Sequence, residues 1–110
     1  MKDYGEQSRE EKIKIIARYY GYEAQSRQLI EEMAELTQAI NKLWRKENYG
    51  GSQEDIKEAY ESITEEMADT CIMIQQLKEL LSIGETELFQ IIDRKVDRQK
   101  GRIQKEAIKC

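Results

Sequence analysis

The sequence predicts an all-α fold of four helices. Three observations lead there. The 110 residues contain no proline, and 36% of them are charged. Apolar residues recur at alternating steps of three and four over long stretches, the period of one helix face. The six glycines fall mostly between those stretches, where they punctuate them. A chain of this length makes one domain, residues 1–110. Its wealth of Glu, Lys, Gln, Ile and Leu suits long helices.

The first helix is expected over 8–20. Ser8 caps it, with Glu11 three places on, and Ile13, Ile16, Ala17 and Tyr20 supply its apolar face. Gly21 ends it. The second, over 22–46, carries the seam Leu29, Met33, Leu36, Ile40 and Leu43. Tyr49-Gly50-Gly51-Ser52 breaks the pattern, and Ser52 with Asp55 at N3 opens a third helix over about 53–82. That helix has the seam Ile56, Tyr60, Ile63, Met67, Thr70, Ile74, Leu77 and Leu81. Ile72, Met73 and Leu80 lie off it and form a second apolar surface, which calls for another helix or another subunit. Ile83-Gly84 marks a turn before a fourth helix over about 85–107, with Leu88, Ile91, Ile92, Val96 and Ile103.

Composition excludes several functions. A formal net charge of −4 gives no electrostatic reason for nucleic-acid binding. Mean hydropathy is −0.81, and no apolar run approaches the ~20 residues of a membrane span. The segment Met1-Lys2-Asp3-Tyr4-Gly5-Glu6 lacks the apolar stretch of a signal peptide. Two cysteines, Cys71 and Cys110, make no disulfide framework and point to the reducing cytoplasm. Histidine is absent. That excludes a histidine base, histidine zinc ligands and the Glu-x-x-His di-iron bundle.

One acidic motif occurs twice. Glu31-Glu32-Met33-Ala34-Glu35 returns 34 positions later as Glu65-Glu66-Met67-Ala68-Asp69. A lone Glu-x-x-Glu pair on a helix is usually a solvated face. A repeated pentad in matching hydrophobic register carries more information. On a wheel of 100° per residue with Leu29 at the origin, Glu32 falls near 300° and Glu35 near about 240°. Glu66 and Asp69 take the same angles relative to Ile63. Glu32, Glu35, Glu66 and Asp69 therefore form the inward quartet, while Glu31 and Glu65 are expected either in solvent or behind the ligands as supporting groups. Four close carboxylates repel one another unless protons or cations neutralise them. All-oxygen ligation without histidine favours Mg²⁺, with Mn²⁺ as a substitute.

Lys95, Arg98, Gln99 and Arg102 make a cationic stripe on the last helix, suited to phosphate opposite a metal. Helix C-termini also carry such residues simply to complement the dipole. Trp44, Tyr19, Tyr20, Tyr22 and Tyr49 could stack on a base, although aromatics more often pack in cores or interfaces. Gln28 lies one turn before Glu32 on the same flank, where it could meet a nucleotide.

The pattern Glu31-Glu32-x-x-Glu35 followed by Glu65-Glu66-x-x-Asp69 resembles the E-E-x-x-E…E-x-x-D signature of MazG-type nucleotide pyrophosphohydrolases, of the all-α NTP pyrophosphatase superfamily. Lys95, Gln99 and Arg102 occupy the spacing of that family's later K-x-x-x-N-x-x-R pattern, with Gln99 where Asn is usual. The likeness spans about residues 25–103. It implies a MazG-like four-helix bundle completed by a second copy, as homodimer or homotetramer. It also implies Mg²⁺-dependent hydrolysis of an NTP or dNTP to monophosphate and pyrophosphate, in housekeeping of the nucleotide pool. Glu32, Glu35, Glu66 and Asp69 are then metal ligands and catalytic residues, and Lys95, Gln99 and Arg102 hold phosphate. The competing expectation is a non-enzymatic helical interaction or regulatory module that keeps the fold.

Overall fold

The computed structural model describes residues 6–109. Met1–Gly5 and Cys110 lie outside the described residues, and with them the N-terminal reading and any disulfide through Cys110. The chain forms three helices, α1 (Arg9–Asn48), α2 (Gln53–Leu80) and α3 (Glu85–Lys109). No strand occurs among the described residues.

The first two expected helices are the arms of α1. Between them Gly21 has φ 85° and ψ 171°, a region essentially open to glycine alone. The helix direction breaks there, so both arms can lie on α2. Ser8 caps the first arm, its hydroxyl accepting from the Glu11 amide at 3.1 Å. Ala17 is fully buried, and Arg18 bridges to Glu79 of α2 at 2.6 Å.

The loop between α1 and α2 is closed by its glycines. Gly50 has φ 82°, and the Gly51 amide donates to Lys46 O at 2.8 Å, the long bond of a Schellman turn. A Cβ on Gly51 would sit 2.7 Å from Lys46 O, so the close approach demands glycine. Ser52 and Asp55 then form a complete reciprocal capping box. The Ser52 amide donates to Asp55 at 3.3 Å, and the Asp55 amide donates to Ser52 Oγ at 3.1 Å. These bonds and Lys46 hold the Asp55 carboxyl below the usual carboxylate range.

The second arm of α1 runs antiparallel to α2. Gln25 meets Gln76 at one end, and Lys46 meets Asp55 at the other. The seam between them is rotated from the expected one. Leu29 is buried and Leu36 and Leu43 half-buried, but Met33 and Ile40 are exposed. On α2, Ile56, Ile63 and Leu77 are half-buried and Thr70 is buried, while Tyr60, Met67, Ile74 and Leu81 face out. Gln25, Glu32 and Ala39 take the vacated places on α1, and Ala59, Glu66 and Met73 those on α2. Small side chains at Ala39 and Ala59 let the helices approach on that flank. The rotation turns the acidic flank into the contact.

Helix α3 departs from this hairpin. The Ile83 amide donates to Lys78 O at 3.0 Å, and Ser82, not a glycine, takes the left-handed position at φ 54°. Only the start of α3 touches the hairpin. Lys78 lies 3.5 Å from Glu85 and 5.9 Å from the centre of the Phe89 ring. Beyond that, α3 packs on neither α1 nor α2. The radius of gyration is 18.9 Å, against about 13 Å for a compact domain of this length. No helix among the described residues is long and apolar enough to cross a membrane.

Candidate metal centre

Three of the four expected carboxylates converge. Glu32 and Glu35 of α1 and Glu66 of α2 each offer an oxygen within 4.8 Å of the others. Their spacing explains this. Glu32 and Glu35 are nearly one turn apart on one flank, and Glu66 occupies the matching flank of the antiparallel neighbour. Glu32 and Glu66 are half-buried in the seam and Glu35 is exposed. Asp69 is exposed one turn beyond Glu66 and is not among the three that close on one point. Its charge still reaches Glu66. Glu31 and Glu65 are exposed, as the wheel predicts.

The cluster is electrostatically unsatisfied. Oε2 of Glu32 and Oε2 of Glu66 are shut off from solvent and have no hydrogen-bond partner among the described residues. The Glu66 carboxyl is pushed above its ordinary range. Desolvation is the largest cause, followed by the charge of Glu35, side-chain hydrogen bonding with Glu35, and the charges of Glu32 and Asp69. A buried carboxylate oxygen without a donor costs free energy, and a hard cation relieves both the repulsion and the missing donor. Two such oxygens beside an exposed third carboxylate fit Mg²⁺, which takes few protein oxygens and keeps positions for water and phosphate.

One neighbouring amide bonds the cluster directly. Gln28 Nε2 donates to Glu32 Oε1 at 2.7 Å, so Gln28 orients this carboxylate. Gln25 Nε2 donates to Gln76 Oε1 at 2.6 Å, with both side chains buried. The Thr70 hydroxyl donates to Glu66 O at 2.8 Å. Sequence reasoning passed over Gln25 and Gln76, because two isolated glutamines show no sign of pairing until the helix register is known.

The other expected site residues lie elsewhere. Lys95, Gln99 and Arg102 are exposed on α3, beyond the turn that touches the hairpin. Trp44 meets Tyr49 edge to face at 5.6 Å, and Tyr19 meets Tyr20 likewise at 4.9 Å. A groove of about 680 Å³ lies between the first arm and α2 beside Ile13, Ile16, Cys71 and Ile72. Its lining does not include Glu32, Glu35 or Glu66, so it is separate from the carboxylate cluster. A groove of about 420 Å³ does adjoin the carboxylates, lined by Glu35, Glu66, Ser62, Asn41, Lys42 and Arg45 among others.

Comparison of the chain with family models, curated proteins and solved structures finds no match in any of the three.

Proposed function

We propose that this protein is a Mg²⁺-dependent nucleoside triphosphate pyrophosphohydrolase of the MazG-like kind. It converts an NTP or dNTP to the monophosphate and pyrophosphate. One observation carries the reading. Glu32, Glu35 and Glu66 meet from two helices, with two buried oxygens that no described residue satisfies. The doubled pentad supports it, because each copy supplies its second glutamate to the cluster.

Glu32, Glu35, Glu66 and Asp69 are the residues that hold the metal in this reading. When bound, Mg²⁺ (or Mn²⁺) screens the phosphate charge and lowers the pKa of bound water. Glu32 is oriented by Gln28 and presents its free oxygen inward. Glu66, whose carboxyl is pushed upward by burial and by the charges of Glu35, Glu32 and Asp69, would be relieved of that repulsion by a bound cation. A carboxylate of the cluster accepts the proton of the water that attacks the α-phosphorus. Such a role in the nucleotide pool fits a cytoplasmic protein.

A second copy completes the molecule in the same reading. Phe89, Ile92, Val96 and Ile103 of α3 are exposed, as are Met33, Ile40, Tyr60 and Met67 of the hairpin. A homodimer or homotetramer covers these surfaces and places Lys95, Gln99 and Arg102 within an assembly.

The test is pyrophosphate release from a panel of NTPs and dNTPs with Mg²⁺, comparing wild type with Glu66→Gln. Turnover by wild type and a loss of about 100-fold or more in the variant is expected, in line with the loss of a group that acts in acid–base and metal chemistry. No turnover on any nucleotide, together with a melting temperature indifferent to Mg²⁺, favours the interaction-module reading instead.

A further inference from the structure

We infer that Lys42 and Arg45 of α1 hold the phosphate tail of the substrate, in the groove that adjoins the carboxylate cluster. This placement takes the hydrolase reading above as its premise and names cations that neither the doubled pentad nor the stripe on α3 includes.

The groove of about 420 Å³ has Glu35 and Glu66 in its lining together with Lys42 and Arg45. Glu35, Gln38, Lys42 and Arg45 follow one another at steps of three, four and three, so they descend one flank of a single helix. At 1.5 Å per residue, Lys42 lies about 10 Å and Arg45 about 15 Å along the axis from Glu35. Their long side chains span much of that distance. Ser62 and Asn41 add neutral polar groups to the lining.

No ion pair among the described residues takes up the two cations of this groove. Lys46, one place after Arg45, pairs with Asp55 at 3.9 Å, and Arg18 pairs with Glu79. Lys42 and Arg45 enter no ion pair among the described residues, although the Lys42 charge is felt at Asp55. Two carboxylates and two cations thus line one groove without neutralising each other. A magnesium-bound polyphosphate matches both ends, with metal at the carboxylates and terminal phosphate oxygens at Lys42 and Arg45. Arginine grips phosphate with a planar fork and lysine as a point charge. Helix α3 carries Lys95 and Arg102 away from this hairpin, so a single chain has Lys42 and Arg45 for the task.

The experiment measures binding of magnesium pyrophosphate by calorimetry, and KM and kcat for the best nucleotide of the panel. The variants are Lys42→Gln, Arg45→Gln, Lys95→Gln and Arg102→Gln in the full chain. Lys42 and Arg45 are exposed, and thermal melts verify that the variants fold. Each groove variant should weaken pyrophosphate binding and raise KM by about 10- to 100-fold, the usual worth of a charged hydrogen bond, with a smaller change in kcat. The two α3 variants should change both far less. Unchanged binding and KM in the groove variants, with wild-type turnover intact, overturns the assignment and leaves the hydrolase reading standing. Losses confined to the α3 variants overturn it as well. A wild type that neither binds magnesium pyrophosphate nor turns over any nucleotide sinks both readings. Pyrophosphate binding that depends on Lys42 and Arg45 without turnover supports the groove and refutes hydrolysis.

Discussion

The hairpin of α1 and α2 and the helix α3 are built from similar residues and end in opposite conditions. The hairpin buries Leu29, Ala39, Ala59 and Met73 and admits two glutamates into its seam. Helix α3 is the more sharply amphipathic element, yet none of its described residues is buried. Charge separates the two regions further. Helix α2 holds eight Asp or Glu against two Lys, and α3 holds seven Lys or Arg against five Asp or Glu. The contrast teaches that an amphipathic pattern states that a helix needs a partner but not where the partner is. For α2 the partner is the preceding helix. For α3 the described residues offer none, and in the reading proposed above a second copy supplies it, which the opposite charges of α2 and α3 suit.

The largest effect should come from breaking the hairpin side. Gly21→Ala forces a side chain into a glycine-only conformation and should cost about 1–3 kcal/mol. Urea denaturation would read this as a lowered midpoint, and loss of the Arg18–Glu79 bridge would free the first arm. The α3 side is probed by Val96→Glu. If α3 meets a second copy, this change removes about 1.5–3 kcal/mol of apolar burial and shifts the mass measured by light scattering toward the single chain. An unchanged mass and melting point would leave α3 without a partner.

Smaller changes sharpen the boundary between the regions. Ser82→Gly relieves a left-handed non-glycine at the junction and should stabilise by about 0.5–1 kcal/mol, net of the added chain entropy. Thermal melts should show a small rise. Glu66→Gln removes one of three converging charges, so the metal-free protein should melt higher than wild type, and the Mg²⁺-induced rise should vanish. A drop in the metal-free melting point would mean that the cluster is not under repulsion.

The smallest effect concerns acid. The Asp55 carboxyl is held below its ordinary value of 3.8 by Ser52 and Lys46. Its contribution is therefore complete above that ordinary value and fades as pH falls through the lower folded value. Asp55→Asn should flatten the acid limb of a stability–pH curve slightly, and an identical limb in the variant would show that the cap does not titrate.

Much of the fold was legible in local chemistry. Ser8, Gly21, the Tyr49-Gly50-Gly51-Ser52 break and Asp55 act locally, so their neighbours in sequence are their neighbours in space. The carboxylate flank was legible for the same reason, since Glu32 and Glu35 share a helix and Glu66 repeats the pattern. The seam rotation was not. Choosing Ala39 over Ile40, or Glu66 over Met67, depends on how closely two helices approach, which neither helix states alone. Lys42 and Arg45 continue the flank of Glu35 in plain sight, yet nothing in α1 reveals that Ser62 and Glu66 of α2 face them. The direction of α3 depends on Ser82 adopting φ 54°, a conformation rare enough for serine that sequence favours Gly84 for the turn.

The buried Gln25–Gln76 bond has a consequence for alignment. Leu29, Leu36 and Leu43 are spaced by sevens, as are Ile56, Ile63, Thr70 and Leu77, so one helix could slide by a heptad against the other and still match apolar rows. A slide would strand both glutamine amides without partners in the interior, and a buried polar pair is the device by which helical pairs fix a single alignment. The same slide would carry Glu66 about 10 Å away from Glu32 and Glu35. One neutral hydrogen bond near the end of the hairpin thus acts as a ruler, measuring out where the three carboxylates meet.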